Sequence, residues 1–317
     1  MRLLSSVAMG RTPITKENFM RSSIRGIVIG AGTMGTNLAR LMFRNGMTVT
    51  VLDINPDVLA QCHQALQSES NDQQVRFVND WAEVGECEVV VESVTEDLTL
   101  KQRVLKEAEH YVDDATLILT NTSGLPIDEL AEVLVRPERF LGAHFFNPAD
   151  LIPAVEVIPG RLTSANCVEQ TIDLLRQLGK RPAVLKQSVP GFVANRIQHA
   201  LMRECLALLE QGVVGAEALD EIVRYSIGIR LAINGPLRQR DLNGLDTHLN
   251  ISRYLYRDLD NRATPSSLLE ELVAQGHLGR KSGRGFHEWP DDNGETYDRQ
   301  ERALLEGLLA LMTDEHN

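Results

Sequence analysis

The chain has 317 residues, 43% apolar and 24% charged, an ordinary globular composition whose length favours two domains over one. A net charge of −12, with no dense Lys/Arg stripe to offset it, argues against nucleic acid or an anionic membrane as partner, so any phosphate-bearing small molecule must be held by local backbone N–H groups and a few placed cations. No apolar run reaches the roughly 18 residues of a membrane span. Cys62, Cys87, Cys167 and Cys205 are scattered without CxxC or zinc-type spacing, which predicts reduced thiols in a cytoplasmic protein.

Residues 1–23 read as a loosely ordered extension, with Met20 as a natural start; they lack the apolar core of a secretory signal. IRGIVIG (24–30) is a β-rich run ending in glycine. TNLARLMFRNG (36–46) has helical spacing and stops at Gly46. TVTVLD (48–53) reads as a second strand ending in Asp53, and PDVLAQCHQALQ (56–67) as a helix with Pro56 in its first turn. VRFV (75–78), CEVVVES (87–93) and ATLILTNTS (115–123) are further strands, with a charged amphipathic helix at 97–111 between the last two. Strand–helix alternation with β-branched runs predicts a parallel sheet covered on both faces. RFLGAHFF and PAVEVI continue the strand pattern, followed by a helix (164–178) and PAVLK. After Lys186 strand-like runs cease and helical patterns punctuated by Gly and Pro take over. The expected fold is α/β: a doubly wound Rossmann sheet over 24–187, then an all-α domain over 188–317.

Gly30-Ala31-Gly32-Thr33-Met34-Gly35 is a G-x-G-x-x-G. It follows a strand, opens a helix, and is answered by Asp53 at the end of the next strand, the context a dinucleotide site requires. The first glycine permits the turn, the second admits the pyrophosphate, and the third brings helix and strand close, with helix N–H groups facing the anion. Asp53 accepts from both ribose hydroxyls and repels a 2′-phosphate. No Arg follows it, so NAD is expected rather than NADP.

LGAHFFNPADLIPAVEVIPG (141–160) places one ionisable residue, His144 and Glu156, in each of two strands that look buried. They are either a partnered core pair or an acid–base unit. Oxidising a secondary alcohol needs a base near neutrality, and a carboxylate on the neighbouring strand fixes its tautomer. No metal site is implied, because the other seven histidines show no ligand spacing.

His144-Phe-Phe-Asn-Pro148 with Glu156, Asn121-Thr-Ser123, Pro190-Gly-Phe-Val-Ala-Asn195-Arg and GHLGRKSGRGFHEW (276–289) together resemble the 3-hydroxyacyl-CoA dehydrogenase family over about residues 24–289. The resemblance implies that Ser123 and Asn195 hydrogen-bond the reacting oxygen, although each could instead cap a turn or a helix. It also implies that Glu96 and Lys101, with Asn121, lie near the nicotinamide and ribose; Glu96 and Lys101 could equally be solvated charges on a helix face. Members are usually dimers. The helix at 195–212 is apolar on more than one face, so a homodimer through the C-terminal domain is expected.

Two features depart from the family. Typical members carry a long Lys-rich helical hairpin after the second strand, associated with CoA. Here residues 56–80 hold one helix, four acids (Asp57, Glu69, Asp72, Asp80) and one base, Arg76. SIGIRLAINGP (226–236) carries Arg230 and resembles the carnitine dehydrogenase and lambda-crystallin branch, in which an Arg could bind a substrate carboxylate. Arg230 could also be a helix-terminal or interface ion-pair residue. The leading expectation is NAD-dependent oxidation of a short L-3-hydroxyacyl-CoA. The alternatives are a free polar 3-hydroxy acid with Arg230 on its carboxylate, and a non-catalytic crystallin-like scaffold.

Overall fold

The computed structural model describes residues 24–70, 73–289 and 295–314, so the 1–23 extension lies outside the described residues. Each apolar run too dense for a one-sided helix becomes a strand. In chain order these elements are β1 (Arg25–Ile29), α1 (Thr33–Arg44), β2 (Thr48–Leu52), α2 (Pro56–Leu66), β3 (Val75–Val78), β4 (Val89–Glu92), α3 (Leu98–Tyr111), β5 (Leu117–Thr120), α4 (Ile127–Ala131), β6 (Phe140–Phe145), β7 (Ala154–Pro159), α5 (Ala165–Gln177) and β8 (Arg181–Val184). Polar caps set the helix starts. Asn55 accepts from the Asp57 and Val58 N–H groups, Asp97 from Leu100 and Ser164 from Cys167. Each such cap contributes about 1 kcal/mol.

The strands form one sheet in the order β3-β2-β1-β4-β5-β6-β7-β8. Strands β1 to β6 are mutually parallel, as the sequence predicts, but β7 runs antiparallel to β6, and β8 runs parallel to β7. The expected parallel sheet thus carries one antiparallel pair, β6–β7. The 146–153 connection is shorter than the roughly dozen residues a parallel crossover needs, so the chain can only turn back on itself.

Alternate residues of each strand feed opposite layers. Val28, Val49, Val51, Val91 and Leu119 pack beneath α1, α2 and α5 through Leu38, Met42, Leu66 and Leu174. On the other face Ile118, Phe140 and Ile158 meet Leu105 of α3 and Ile127 and Leu130 of α4, while Ile27, Ile29 and Val90 meet Ala108. Helices therefore cover both faces, which is the doubly wound arrangement.

The chain divides into two compact units at Val193/Ala194. The expected boundary near 187 lies several residues earlier. Phe192, fully buried in the cluster of Ile127 and Phe140, keeps the segment after β8 with the first unit. The second unit is helical: α6 (Ala194–Glu210), α7 (Ala216–Ile222), a π-helical turn at Val223–Gly228, α8 (Ile229–Asn234), α9 (Pro236–Asn243), α10 (Leu245–Leu255), α11 (Ser267–Ala274) and α12 (Glu295–Asp314). Among its described residues, extended pairing is confined to the bridges Gly279–Arg284 and Arg284–Glu288.

Candidate active site

The glycine turn closes between β1 and α1. Gly30 has φ +97°, and a Cβ there would meet the Ser93 carbonyl oxygen at 2.7 Å; a Cβ on Gly35 would sit 1.7 Å from the Gly30 oxygen. These two positions demand glycine for reasons internal to the protein. Gly32 differs, because a Cβ there would meet no protein atom within 4 Å. The space it leaves suits an incoming pyrophosphate rather than a neighbouring side chain. Gly32 is also the N-cap of α1 and supplies no side-chain acceptor, so the helix start is dressed for an anion.

Asp53 follows β2. Its Oδ2 accepts from the Ala31 N–H at 2.8 Å and its Oδ1 from the Asn55 N–H at 2.9 Å. The carboxylate thus braces the glycine turn and keeps lone pairs for ribose hydroxyls. A cleft of about 810 Å³ opens beside it, lined by Gly32, Thr33, Met34, Asp53, Trp81 and Arg103 among others. Its position at the carboxyl ends of β1 and β4, where the strand order reverses, is where doubly wound sheets bind nucleotides.

At the same sheet edge, His144 of β6 stands directly opposite Glu156 of β7 in the antiparallel register. Its Nδ1 lies 2.8 Å from Glu156 Oε2, with both side chains almost wholly buried. A carboxylate only accepts, so Nδ1 carries the proton and Nε2 is left as the basic nitrogen. Glu156 Oε1 accepts from the Val193 N–H at 2.9 Å. That donor follows Phe192, whose φ of +48° is a rare conformation for an aromatic residue and costs on the order of 1–3 kcal/mol. Phe146 and Phe192 pack against the imidazole, with ring centroids 4.7 and 5.7 Å away. The buried Glu156 carboxylate and the two flanking aromatic rings hold the imidazole in one orientation, with Nε2 left as an acceptor.

Ser123 lies in the loop after β5 and is exposed. In the same turn Thr122 Oγ1 accepts from the Gly124 and Leu125 N–H groups. Asn121 bridges the loops, its Oδ1 accepting from the Phe145 N–H and its Nδ2 donating to Ser93 Oγ. Asn195 is the second residue of α6, in the second unit, inside the helix rather than at its cap. Arg230 is exposed on α8, its Nε donating to the Ser226 carbonyl one turn back.

Residues 27–188 match the family described as 3-hydroxyacyl-CoA dehydrogenase, NAD binding domain, and residues 191–289 match the C-terminal domain of the same enzymes. The chain belongs to the 3-hydroxyacyl-CoA dehydrogenase family. It is an NAD-dependent oxidoreductase of that type. Among its relatives, the 5-formyl-3-hydroxy-2-methylpyridine 4-carboxylate 5-dehydrogenase of Mesorhizobium japonicum is 35% identical over 83% of this chain and 90% of its own length. The probable 3-hydroxybutyryl-CoA dehydrogenase of Deinococcus radiodurans is 33% identical over 83% of this chain and 99% of its own. A crystal structure of an NAD⁺-dependent 5-formyl-3-hydroxy-2-methylpyridine 4-carboxylic acid 5-dehydrogenase superposes with a TM-score of 0.87 at 30% identity, covering 92% of this chain and 99% of that one.

Within this family frame two charged positions read differently from a solvated helix face. Lys101 is 0% exposed. Its Nζ donates to Glu92 Oε1 at 2.8 Å and to the Val94 carbonyl at 3.1 Å, behind the cleft wall rather than in it. Glu96 Oε1 accepts from Thr122 Oγ1, the Ser123 N–H and the Gly124 N–H. Glu92, the partner of Lys101, is wholly buried, a charge that the strand pattern does not single out. Its signal is an acid closing the apolar run VVVE, where a fourth core residue would otherwise stand.

Proposed function

We propose that this enzyme oxidises the 3-hydroxyl of a short L-3-hydroxyacyl-CoA to the ketone. The observation that carries the reading is the 2.8 Å His144–Glu156 contact between facing strand positions. NAD, when bound, supplies the hydride acceptor. His144 Nε2 takes the hydroxyl proton, and Glu156 stabilises the imidazolium that results. Ser123 donates to the reacting oxygen. Relatives named as 3-hydroxybutyryl-CoA dehydrogenases support the thioester substrate.

A second reading, a CoA-free polar hydroxy acid, is favoured by the helix-α2 region. Arg76, the base of residues 56–80, is engaged with the Glu83 carbonyl, and Glu69 faces Arg40 and Arg44. A relative named for a pyridine carboxylate points the same way. NADH formation measured with 3-hydroxybutyryl-CoA and with CoA-free 3-hydroxy acids separates the two. Turnover of the thioester alone supports the first. Turnover of the free acid alone, abolished by Arg230→Ala, replaces it with the second.

We also propose a cytoplasmic homodimer joined through the second unit. Ile197, Leu201 and Met202 of α6 are exposed, as are Ile229, Ile233 and Leu249, and a second copy would cover them. All four cysteines are unpaired, as a reducing compartment requires.

A further inference from the structure

The cofactor cleft has one wall for which the glycine turn and Asp53 do not account. Helix α3 lines it with Leu100, Arg103, Val104 and Glu107. Their spacing of i, i+3, i+4 and i+7 puts all four on one helical face. Lys101, Leu105 and Ala108, one step round the helix, form the buried strip that seats α3 on the sheet. Ile54 and Val58, next after Asp53 along the chain, line the same cleft. Ile54 is 78% exposed, an aliphatic side chain left bare beside a nucleotide site. Arg103 is exposed too. Among the described residues it forms no hydrogen bond or ion pair, although Glu107 stands one turn along the same face.

The charges of the cleft narrow what Arg103 can meet. It is the one cation among the residues that line the cleft, against the carboxylates of Asp53 and Glu107. That balance disfavours the added negative charge of a 2′-phosphate. A pyrophosphate has its own place at the open Gly32 and the start of α1. With the ribose at Asp53, the part of NAD left to fill the space between Ile54 and α3 is the adenine, a neutral flat ring with two π faces. An aliphatic side chain packs on such a face, and a planar, weakly hydrated guanidinium is attracted to it.

We propose that Arg103 is an adenine-binding residue, its guanidinium packing on one face of the base while Ile54 packs on the other. The contact serves the cofactor alone, so it holds for either substrate reading.

Isothermal titration with ADP-ribose and with reduced nicotinamide mononucleotide, which carries a phosphate but no adenine, tests this without turnover. Arg103→Ala weakens ADP-ribose about five- to tenfold and leaves the mononucleotide unchanged. Arg103→Lys keeps the charge but loses the plane, and recovers only part of the loss. The side chain is exposed, so both variants keep the parent fold, which thermal unfolding checks. Four results overturn the proposal. They are an unchanged ADP-ribose affinity in Arg103→Ala, an equal loss for the mononucleotide, full recovery in Arg103→Lys, and a loss confined to NADPH in a parallel titration. Full recovery by lysine would mark a point-charge contact with phosphate, and a loss confined to NADPH a 2′-phosphate site. A parent that oxidises no substrate of the panel would sink the substrate reading alone, because ADP-ribose binding involves no substrate.

Discussion

The two units of this chain satisfy their apolar residues in opposite ways. The first buries both faces of its sheet, with Val28, Val49, Val51, Leu119 and Ile118 all at 2% exposure or less. In the second, the buried apolar residues among those described are Cys205, Leu206, Ala207 and Leu219, while long aliphatic side chains on α6, α8, α9 and α10 stay exposed. A sheet covered on both faces completes its own core. The exposed helix faces of the second unit are the surface that the proposed dimer would cover.

Breaking the first unit from within should cost most. Lys101→Met strands the buried Glu92 carboxylate, and loss of one partner of such a pair costs about 3–5 kcal/mol. Chemical denaturation should show that drop, with Glu92→Gln in the same background restoring part of it; a Lys101→Met protein as stable as the parent would make the pair ornamental. Leu201→Glu on α6 should leave the first unit folded and convert a dimer to monomer, with association weakened by about 2 kcal/mol or more for a central buried contact. Sedimentation velocity reads this directly, and an unaltered oligomer would move the interface elsewhere. Asp53→Ala removes a charged acceptor from the cofactor cleft. It should weaken NAD by about tenfold and narrow the preference over NADP, both measured by isothermal titration; unchanged binding would place the ribose away from β2.

The smallest expected effect lies in the second unit. The Ser266 hydroxyl, then the Arg262 guanidinium, hold the Glu210 carboxyl down at about 2. A depressed carboxyl contributes stability that is fully present above its ordinary range near 4.5 and is lost as pH falls from there toward 2. Glu210→Gln should therefore lower stability modestly at neutral pH and flatten the acid limb below about pH 4.5, so that the two profiles converge toward pH 2. A profile identical to that of the parent would show that the Glu210–Arg262–Ser266 cluster does not tie α6 to the loop before α11.

The parallel strands were legible because each is a β-branched run with one dominant environment, as in VVVE and TVTVL. The glycine turn was legible because its residues answer to backbone constraints that do not depend on distant parts of the chain. The reversal at β7 follows from the length of the 146–153 link, which the strand pattern alone does not weigh. Pairing His144 with Glu156 needed only a turn between two strands. The setting of Glu92, Lys101 and Glu96 was not legible in the same way. Glu96 and Lys101 could equally read as helix-face charges, and Glu92 as the end of a strand, until the sheet order brings β4 and β5 side by side and buries Lys101. The extent of buried apolar surface in the second unit was also hidden, since helical periodicity says which face is apolar and not what covers it.

The most direct test of the proton-accepting role is kcat for NADH formation by His144→Ala, with NADH affinity measured on the same protein. A loss of about 10²–10⁴-fold in kcat with NADH binding retained is the expected result. Turnover at the parent rate would contradict the assignment of the imidazole as the base.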